Sequence, residues 1–253
     1  MAGFTKRVVE GESMFMKSLQ ICLMSAVLGL TACAELSPYL QTGADVASAA
    51  GYGNQAQVVR GLKEALELGS VRAATQLSAP GGYGNSALYR IELPDELQPI
   101  TSSLRRLGLD SQLDNVEAMM NQGAERAAVE AKAVFVDAVR NMTVTDALGI
   151  VRGSDTAATT YFRQQTEVSL RSRYLPIIQQ NLQQIGFYNQ YQQFLQTYNQ
   201  LPLANKPNLD LEQHVLNKSL DALFRQVAVE EKLIRQDPIG RGSALIGSIF
   251  ASR

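Results

Sequence analysis

The chain has 253 residues and a formal net charge of −1, from 23 lysines and arginines against 24 aspartates and glutamates. This near-neutral balance gives no electrostatic case for a nucleic-acid partner. The chain has one histidine, two cysteines and no tryptophan. If Cys22 is removed with the N-terminal segment and the thiol of Cys33 is blocked, as argued below, zinc or copper sites built on His and Cys are excluded, and so is a Cys–His nucleophilic pair. A Ser-His-Asp triad would need His214, which lies in a predicted helix, and no Gly-x-Ser-x-Gly turn presents a serine. We therefore expect no metal and no cofactor.

The N-terminal region has the pattern of a secretory signal. Lys17 precedes about a dozen apolar residues, which are too few to span a bilayer. The run ends in Leu30-Thr31-Ala32-Cys33, which resembles the bacterial lipobox, where the signal is cut before the cysteine and the thiol is lipidated. We predict a signal peptide over residues 1–32. Residues 1–13 are interpreted as a start-site extension, with Met14 or Met16 rather than Met1 as the true start.

Lipidation of Cys33 would anchor the chain to a membrane. Two or three acyl chains hold a protein stably where one does not, and Ala34 after the cysteine favours sorting to the periplasmic face of the outer membrane. Residues 33–54 are small and polar and are predicted to be a flexible tether. The alternative is a buried N-terminal core helix with an incidental cysteine.

From Gln55 onward the apolar residues recur with helical period, which predicts an all-α domain over residues 55–253. We expect a compact bundle of about seven to eight helices. The predicted helices are Gln55–Leu77 with a break around Gly69, Asp95–Leu107 stopped by Gly108, Ser111–Asn141, a short helix opened by Thr143 and ending at Gly153, Ser154–Ile185, Phe187–Gln200, Asn208–Arg235 and Arg241–Ala251.

Two other segments have their own patterns. The glycine-rich loop 79–85 lacks the ending of a phosphate loop and is predicted to be a turn. Residues Leu88–Pro94 form the only alternating stretch and are predicted to be extended. The alanine-rich stripe of Ser111–Asn141 indicates that this helix lies at the centre of the bundle.

The first candidate site is the helix start at Ser154 and Asp155. Free N–H groups at a helix start can bind an anion. Asp155 would repel that anion, so we favour the alternative that Ser154 or Asp155 is the N-cap.

The second candidate is the pair Glu230 and Glu231, which flanks the apolar stripe of the last long helix. Paired carboxylates beside an apolar wall could perform acid–base chemistry. We favour ion pairing, because Arg235 lies one turn beyond Glu231 and Arg225 and Lys232 are also near.

Two further patterns lie in the second half of the chain. Arg163, Glu167 and Arg171 form an i, i+4 ladder that is predicted to be a solvated helix face. The second pattern is a stripe of four aromatic residues among glutamines and asparagines, either core or a groove for a partner or ligand. It comprises Phe187, Tyr191, Phe194 and Tyr198.

Several ordered segments together resemble one bacterial family, the domain of unknown function numbered 4197. They include Glu130–Val139, Gly153–Phe162 and Glu230–Pro238, and the likeness covers about residues 59–250. The resemblance implies a helical, exported and often lipidated protein of Gram-negative bacteria. It implies no catalytic residue.

These observations lead to a lipid-anchored periplasmic domain that binds an envelope protein or component without chemistry. One alternative is a carrier with an interhelical pocket for a lipid or another apolar small ligand. A second alternative is a hydrolase that uses Glu230, Glu231 or Asp155.

Overall fold

The computed structural model describes residues 52–106, 108, 110–189, 191–192, 196 and 210–250, with only the backbone for 52–54, 99 and 100. This part of the chain contains eight α-helices and no strand, which confirms the predicted all-α class. The helices are α1 Tyr52–Ser78, α2 Gln98–Arg106, α3 Asp110–Ala128, α4 Ala131–Asn141, α5 Val144–Arg152, α6 Ala157–Gln184, α7 Leu211–Gln236 and α8 Ala244–Phe250.

The predicted break at Gly69 is wrong, because α1 continues through it. Gly69 lies where α7 approaches closely. A Cβ there would be 3.1 Å from the Cδ1 atom of Ile234 and 3.6 Å from the Cβ of Glu230. The glycine therefore serves helix packing rather than a turn.

The predicted helix Ser111–Asn141 is two helices, α3 and α4, separated at Val129 and Glu130. The Glu130 N–H donates to the Ala127 carbonyl in a tight i, i+3 bond of 3.0 Å. The alanines on both sides of this turn are fully buried. After the turn, the larger side chain of Phe135 on α4 contacts Phe162 on α6.

Helix α6 lies at the centre of the bundle and contacts α3, α4, α5 and α7. It passes through Pro176 without ending, as predicted. Three phenylalanines join its neighbours: the ring of Phe135 lies 4.9 Å from that of Phe162 and 6.2 Å from that of Phe224, both edge to face. The alanine stripe of α3 and α4 is buried as predicted, with Ala138 only partly so.

Residues 79–94, which we call the strap, connect α1 to a short 3₁₀ turn at Asp95–Leu97. That turn precedes α2, so the predicted helix from Asp95 is a 3₁₀ turn followed by an α-helix. In the strap Tyr89, Ile91 and Leu93 are buried and Arg90 and Glu92 are exposed. The predicted extended conformation is wrong at Leu88 and Tyr89, which lie in a turn closed by the Arg90 N–H bond to the Ser86 carbonyl at 3.1 Å.

Some predictions concern residues outside the described part of the chain. These are the signal peptide 1–32, Cys33, the tether up to residue 51, and the linker between the sixth and seventh predicted helices. Helix α1 begins at Tyr52, three residues before its predicted start. None of the helices described is long and apolar enough to cross a membrane.

Candidate functional site

Glu231 of α7 caps the first turn of α6. Its carboxylate accepts from the backbone N–H groups of Ala158 at 3.0 Å and Thr159 at 2.9 Å, and from the Thr159 hydroxyl at 2.8 Å. The α6 N-cap, Thr156, makes no side-chain capping bond. A carboxylate from another helix therefore satisfies the orphan donors and complements the positive end of the α6 dipole.

This arrangement corrects the prediction that Ser154 or Asp155 is the N-cap. Helix α6 begins at Ala157, so both residues lie before the cap position, and both are exposed. The Ser154 carbonyl accepts from Ala157 N–H at 3.1 Å, and its hydroxyl lies 3.5 Å from that of Thr156. The N–H groups of Ala158 and Thr159 that an anion would use are already taken by Glu231.

Arg235 completes the junction. Its Nη2 and Nε donate to Glu231 Oε1 at 2.8 and 3.1 Å, and Nη2 also donates to the Ile150 carbonyl at the end of α5, at 3.2 Å. The Arg235 and Glu231 side chains are 8% and 6% exposed. The predicted pairing of these two residues is confirmed. We call Glu231, Arg235 and the α5 and α6 ends that they bind the Glu231 junction.

Glu230 has different surroundings, although it is adjacent in sequence. It is buried, its Oε1 accepts a long 3.4 Å bond from Gln226 Nε2, and its Oε2 has no hydrogen-bond partner. Gln226 also accepts from the hydroxyl of Tyr89 at 2.7 Å. Within the described residues Glu230 forms no ion pair with Arg225 or Lys232, so the prediction of pairing holds for Glu231 and not for Glu230.

The three carboxylates considered for hydrolysis therefore differ in their hydrogen bonds and exposure. Glu231 accepts five hydrogen bonds, Glu230 faces Gln226, and Asp155 is exposed. A general base needs an available oxygen within reach of its proton, and both oxygens of Glu231 are engaged. In the described residues no three His, Cys, Asp or Glu side chains are grouped to hold a metal ion.

A small apolar cleft lies beside the junction, beneath the ring of Phe250 on α8. Its cavity is about 30 Å³, above the roughly 10–15 Å³ that one water molecule needs. Arg235 Nη1 is buried and has no hydrogen-bond partner among the described residues, and the guanidinium carbon of Arg235 lies 5.4 Å from the Phe250 ring centroid. The other walls are mainly apolar: Leu62, Ala65, Leu66, Gly69, Ser70, Ile150, Ala158, Phe162, Val227 and Ile234.

The aromatic stripe is only partly described. Phe187 is 1% exposed and belongs to the core. Tyr191 is partly buried and stacks on Phe187 with ring centroids 5.6 Å apart. Phe194 and Tyr198 lie outside the described residues. The neighbouring Tyr188 donates to Glu212, and burial together with this bond raises its pKa to about 12.

The ladder on α6 is present and also reaches α7. Arg171 and Arg163 pair with Glu167 at 3.1 and 3.8 Å. Arg163 further contacts Asp221 at 3.3 Å and lies 4.5 Å from the centroid of the Phe224 ring. The ladder therefore joins two helices, rather than forming only a solvated face.

Sequence reasoning missed the contact between α3 and the strap. Asn121 accepts from the Ile91 N–H and donates to the Ile91 carbonyl, both at 2.8 Å. One turn away on either side, Glu117 accepts from Leu93 N–H at 3.3 Å, and Glu125 accepts from the N–H groups of Tyr83 and Gly84, each at 3.2 Å. The available signal was the four-residue spacing of these polar side chains beside the apolar stripe.

A comparison with protein families decides the affiliation. The family described as protein of unknown function DUF4197 matches residues 53–251. The chain belongs to this family. No curated protein and no solved structure matches the chain. The DUF4197 segments Gly153–Phe162 and Glu230–Pro238, which carry part of the resemblance in the sequence, meet at the Glu231 junction.

Proposed function

We propose that this DUF4197 protein is a lipid-anchored envelope protein whose helical domain has a non-catalytic binding or structural role. The anchor rests on the sequence from Lys17 to Cys33. Ala34 supports the periplasmic face of the outer membrane as its location. The membrane is then the first partner, held through acyl chains on Cys33.

One observation supports the non-catalytic role above the others. Both carboxylate oxygens of the buried Glu231 are engaged, because they accept five hydrogen bonds from α6 and Arg235. Removing it would expose two backbone donors and an arginine, which makes it a structural residue. This weakens the hydrolase alternative, because a general base needs an available oxygen and both oxygens of Glu231 are engaged.

The carrier alternative finds little room at the junction. A bound lipid or drug-sized ligand needs a site of roughly 300–1,000 Å³, and the cavity beneath Phe250 is about 30 Å³. A role in which the domain presents its surface to an envelope protein or component requires no such cavity. We therefore place the carrier second.

The anchor is tested by expressing the full chain in a Gram-negative host and measuring the mass of its N-terminal peptide. We expect the peptide to start at Cys33 and to carry a diacylglyceryl and an acyl group, with the protein in the outer-membrane fraction. Cys33→Ser should abolish both the cleavage and the added mass. Cys22→Ser is the matched control, because Cys22 lies in the segment that is removed. An unmodified peptide that retains residues before Cys33 would overturn the proposal.

The non-catalytic role is tested by capture at the surface rather than by activity. A photo-crosslinking residue at the exposed Val168 or Leu88 reports envelope neighbours of the anchored chain in cells. Substrate turnover by the purified chain that is lost in Glu231→Gln, while the fold is kept, would contradict the proposal.

A further inference from the structure

Arg235, which lines the cleft beneath Phe250, has a buried nitrogen without a partner. Its Nη1 is inaccessible to solvent and donates to no atom of the described residues, while Nε and Nη2 of the same side chain are engaged by Glu231 and Ile150. An arginine keeps its charge and its donors at any accessible pH. A buried donor without an acceptor is costly, so an acceptor at Nη1 would stabilise this end of the domain.

The charge balance of the junction selects the kind of acceptor. Glu231 already neutralises Arg235 at 2.8 Å. A ligand carboxylate at Nη1 would place a second negative charge near Glu231 in a buried site, where desolvation and repulsion oppose it. A carbonyl oxygen accepts the same hydrogen bond with no net charge.

The walls of the cleft select the rest of the ligand. Apart from Glu231 and Arg235, the lining carries one polar side chain, Ser70, whose hydroxyl donates to the Glu67 carbonyl. A buried water needs two to four polar partners, and this lining supplies few. Alkyl groups match the remaining leucine, isoleucine, alanine and phenylalanine side chains.

The cleft is covered by Phe250, the last residue of the short helix α8, whose side chain is only partly buried. Its ring packs on the main core and on a small cluster of Ala65, Ile234 and Ile246. Gly240 and Gly242 lie in the seven-residue connection from α7 to α8. Movement of the Phe250 ring would enlarge the cavity while the Glu231 junction stays in place.

We infer that the cleft beneath Phe250 binds a neutral apolar molecule with one carbonyl oxygen, such as an acyl ester. The oxygen accepts from Arg235 Nη1, and the alkyl chain takes the position of the Phe250 ring. The inference rests on the proposed binding role and adds to it a small-ligand site, which exists only when the Phe250 ring moves, because the cavity of about 30 Å³ seen with the ring in place has no room for such a ligand. The site is smaller than a lipid carrier's and takes one short chain, or the end of a longer one.

The test is a titration of the full chain carrying Cys33→Ser, observed through the methyl NMR signals of Ile150 and Ile234. Because this chain has no acyl anchor, its result is independent of the acylation experiment. The probes are methyl hexanoate as the neutral carbonyl, hexanoate as the anion, and toluene as an apolar molecule without an acceptor. We expect saturable shifts with methyl hexanoate and at least about tenfold weaker binding of the other two.

Two variants locate the binding. Phe250→Ala removes the competing ring and should tighten methyl hexanoate by about tenfold. Arg235→Lys keeps a cation for Glu231 but loses the planar second donor, and should weaken binding by about tenfold. Val168→Ala and Arg173→Lys, at an exposed apolar position and in an exposed ion pair, are the matched controls and should leave it unchanged.

Three results would overturn the inference. The first is no saturable shift in either the wild-type cleft or Phe250→Ala. The second is hexanoate binding as tightly as the ester, which would remove the argument from charge. The third is equal ester binding in Arg235→Lys, which would place the ligand away from Nη1.

Discussion

The Glu231 junction and the pairing of Asn121 with Ile91 at the α3–strap contact satisfy backbone groups with different chemistry. In each, side chains of one helix satisfy backbone groups that belong to another segment. At the junction a charged carboxylate binds the N–H groups of a helix start. At the strap a neutral amide, Asn121, binds both the N–H and the carbonyl of Ile91.

The difference follows from what each segment lacks. A helix start has only donors to satisfy and a positive dipole end, so a carboxylate is the matching group. An extended segment without a neighbouring strand leaves both N–H and carbonyl groups without partners. A carboxamide supplies an acceptor for the first and a donor for the second. The charged solution then needs Arg235 to compensate Glu231, whereas Asn121 needs no counter-ion.

The largest effect should come from Glu231→Gln, which leaves Arg235 buried without its counter-charge. We expect the free energy of unfolding to fall by about 3–5 kcal/mol, measured by urea denaturation at neutral pH. Glu230→Gln is the matched control and should cost less than about 1 kcal/mol, because Glu230 has no ion pair to lose. Equal losses in the two variants would refute the special role of Glu231.

Asn121→Ala should cause the second-largest loss in the free energy of unfolding. It leaves the N–H and carbonyl of Ile91 unpaired in a buried site, at a cost of about 2–4 kcal/mol, by the same measurement. Asn115→Ala, at an exposed position on the same helix, should change stability by less than about 0.5 kcal/mol. An Asn121→Ala variant with unchanged stability would mean that the strap is held in place without the Asn121 amide.

Gly61→Ala tests how closely α8 packs on α1. An added Cβ would lie 2.3 Å from Ile249 Cδ1 and 3.0 Å from Leu245 Cγ, so these side chains, or α8 itself, must move. Overpacking of about 1–3 kcal/mol offsets the gain of about 1 kcal/mol in helix propensity, and we expect a net loss with faster amide exchange in α8. Gly149→Ala is the control, because nothing lies within 4 Å of its added Cβ; it should stabilise the protein.

The smallest effect concerns the other side of the strap, where His214 Nε2 lies 2.9 Å from the Glu92 carbonyl. Burial lowers the pKa of His214 and Lys218 lowers it further, while the bond to Glu92 and the charges of Glu96 and Asp95 oppose this. The unfolded chain therefore binds the proton more readily, and stability falls as the pH drops below about 6.5. His214→Gln should flatten the dependence of the urea midpoint over about pH 5 to 7.5. An unchanged profile would show that another group titrates.

Helix positions could be predicted from periodicity, because most of the apolar faces are local patterns. The cap of α5 could also be predicted, since Thr143 and Asp146 are three residues apart and form a capping box. The cap of α6 could not, because Ser154 and Asp155 matched the local rule and Glu231 lies 72 residues beyond Thr159. Likewise the alternation of the strap indicated an extended segment, but not the turn at its start or that Asn121 would take the place of a neighbouring strand.

The remote cap gives α6 an order of assembly. While the chain is being synthesised, all of α6 exists before Glu231 has been added, so its first turn has no side-chain partner for the N–H groups of Ala158 and Thr159. Closing a loop of this length has an entropic cost that only the packing of α7 can offset. The first turn of α6 should therefore fray in a nascent chain that has not yet reached α7 and become ordered once α7 packs against it, so the addition of α7 is the step that fixes this end of α6.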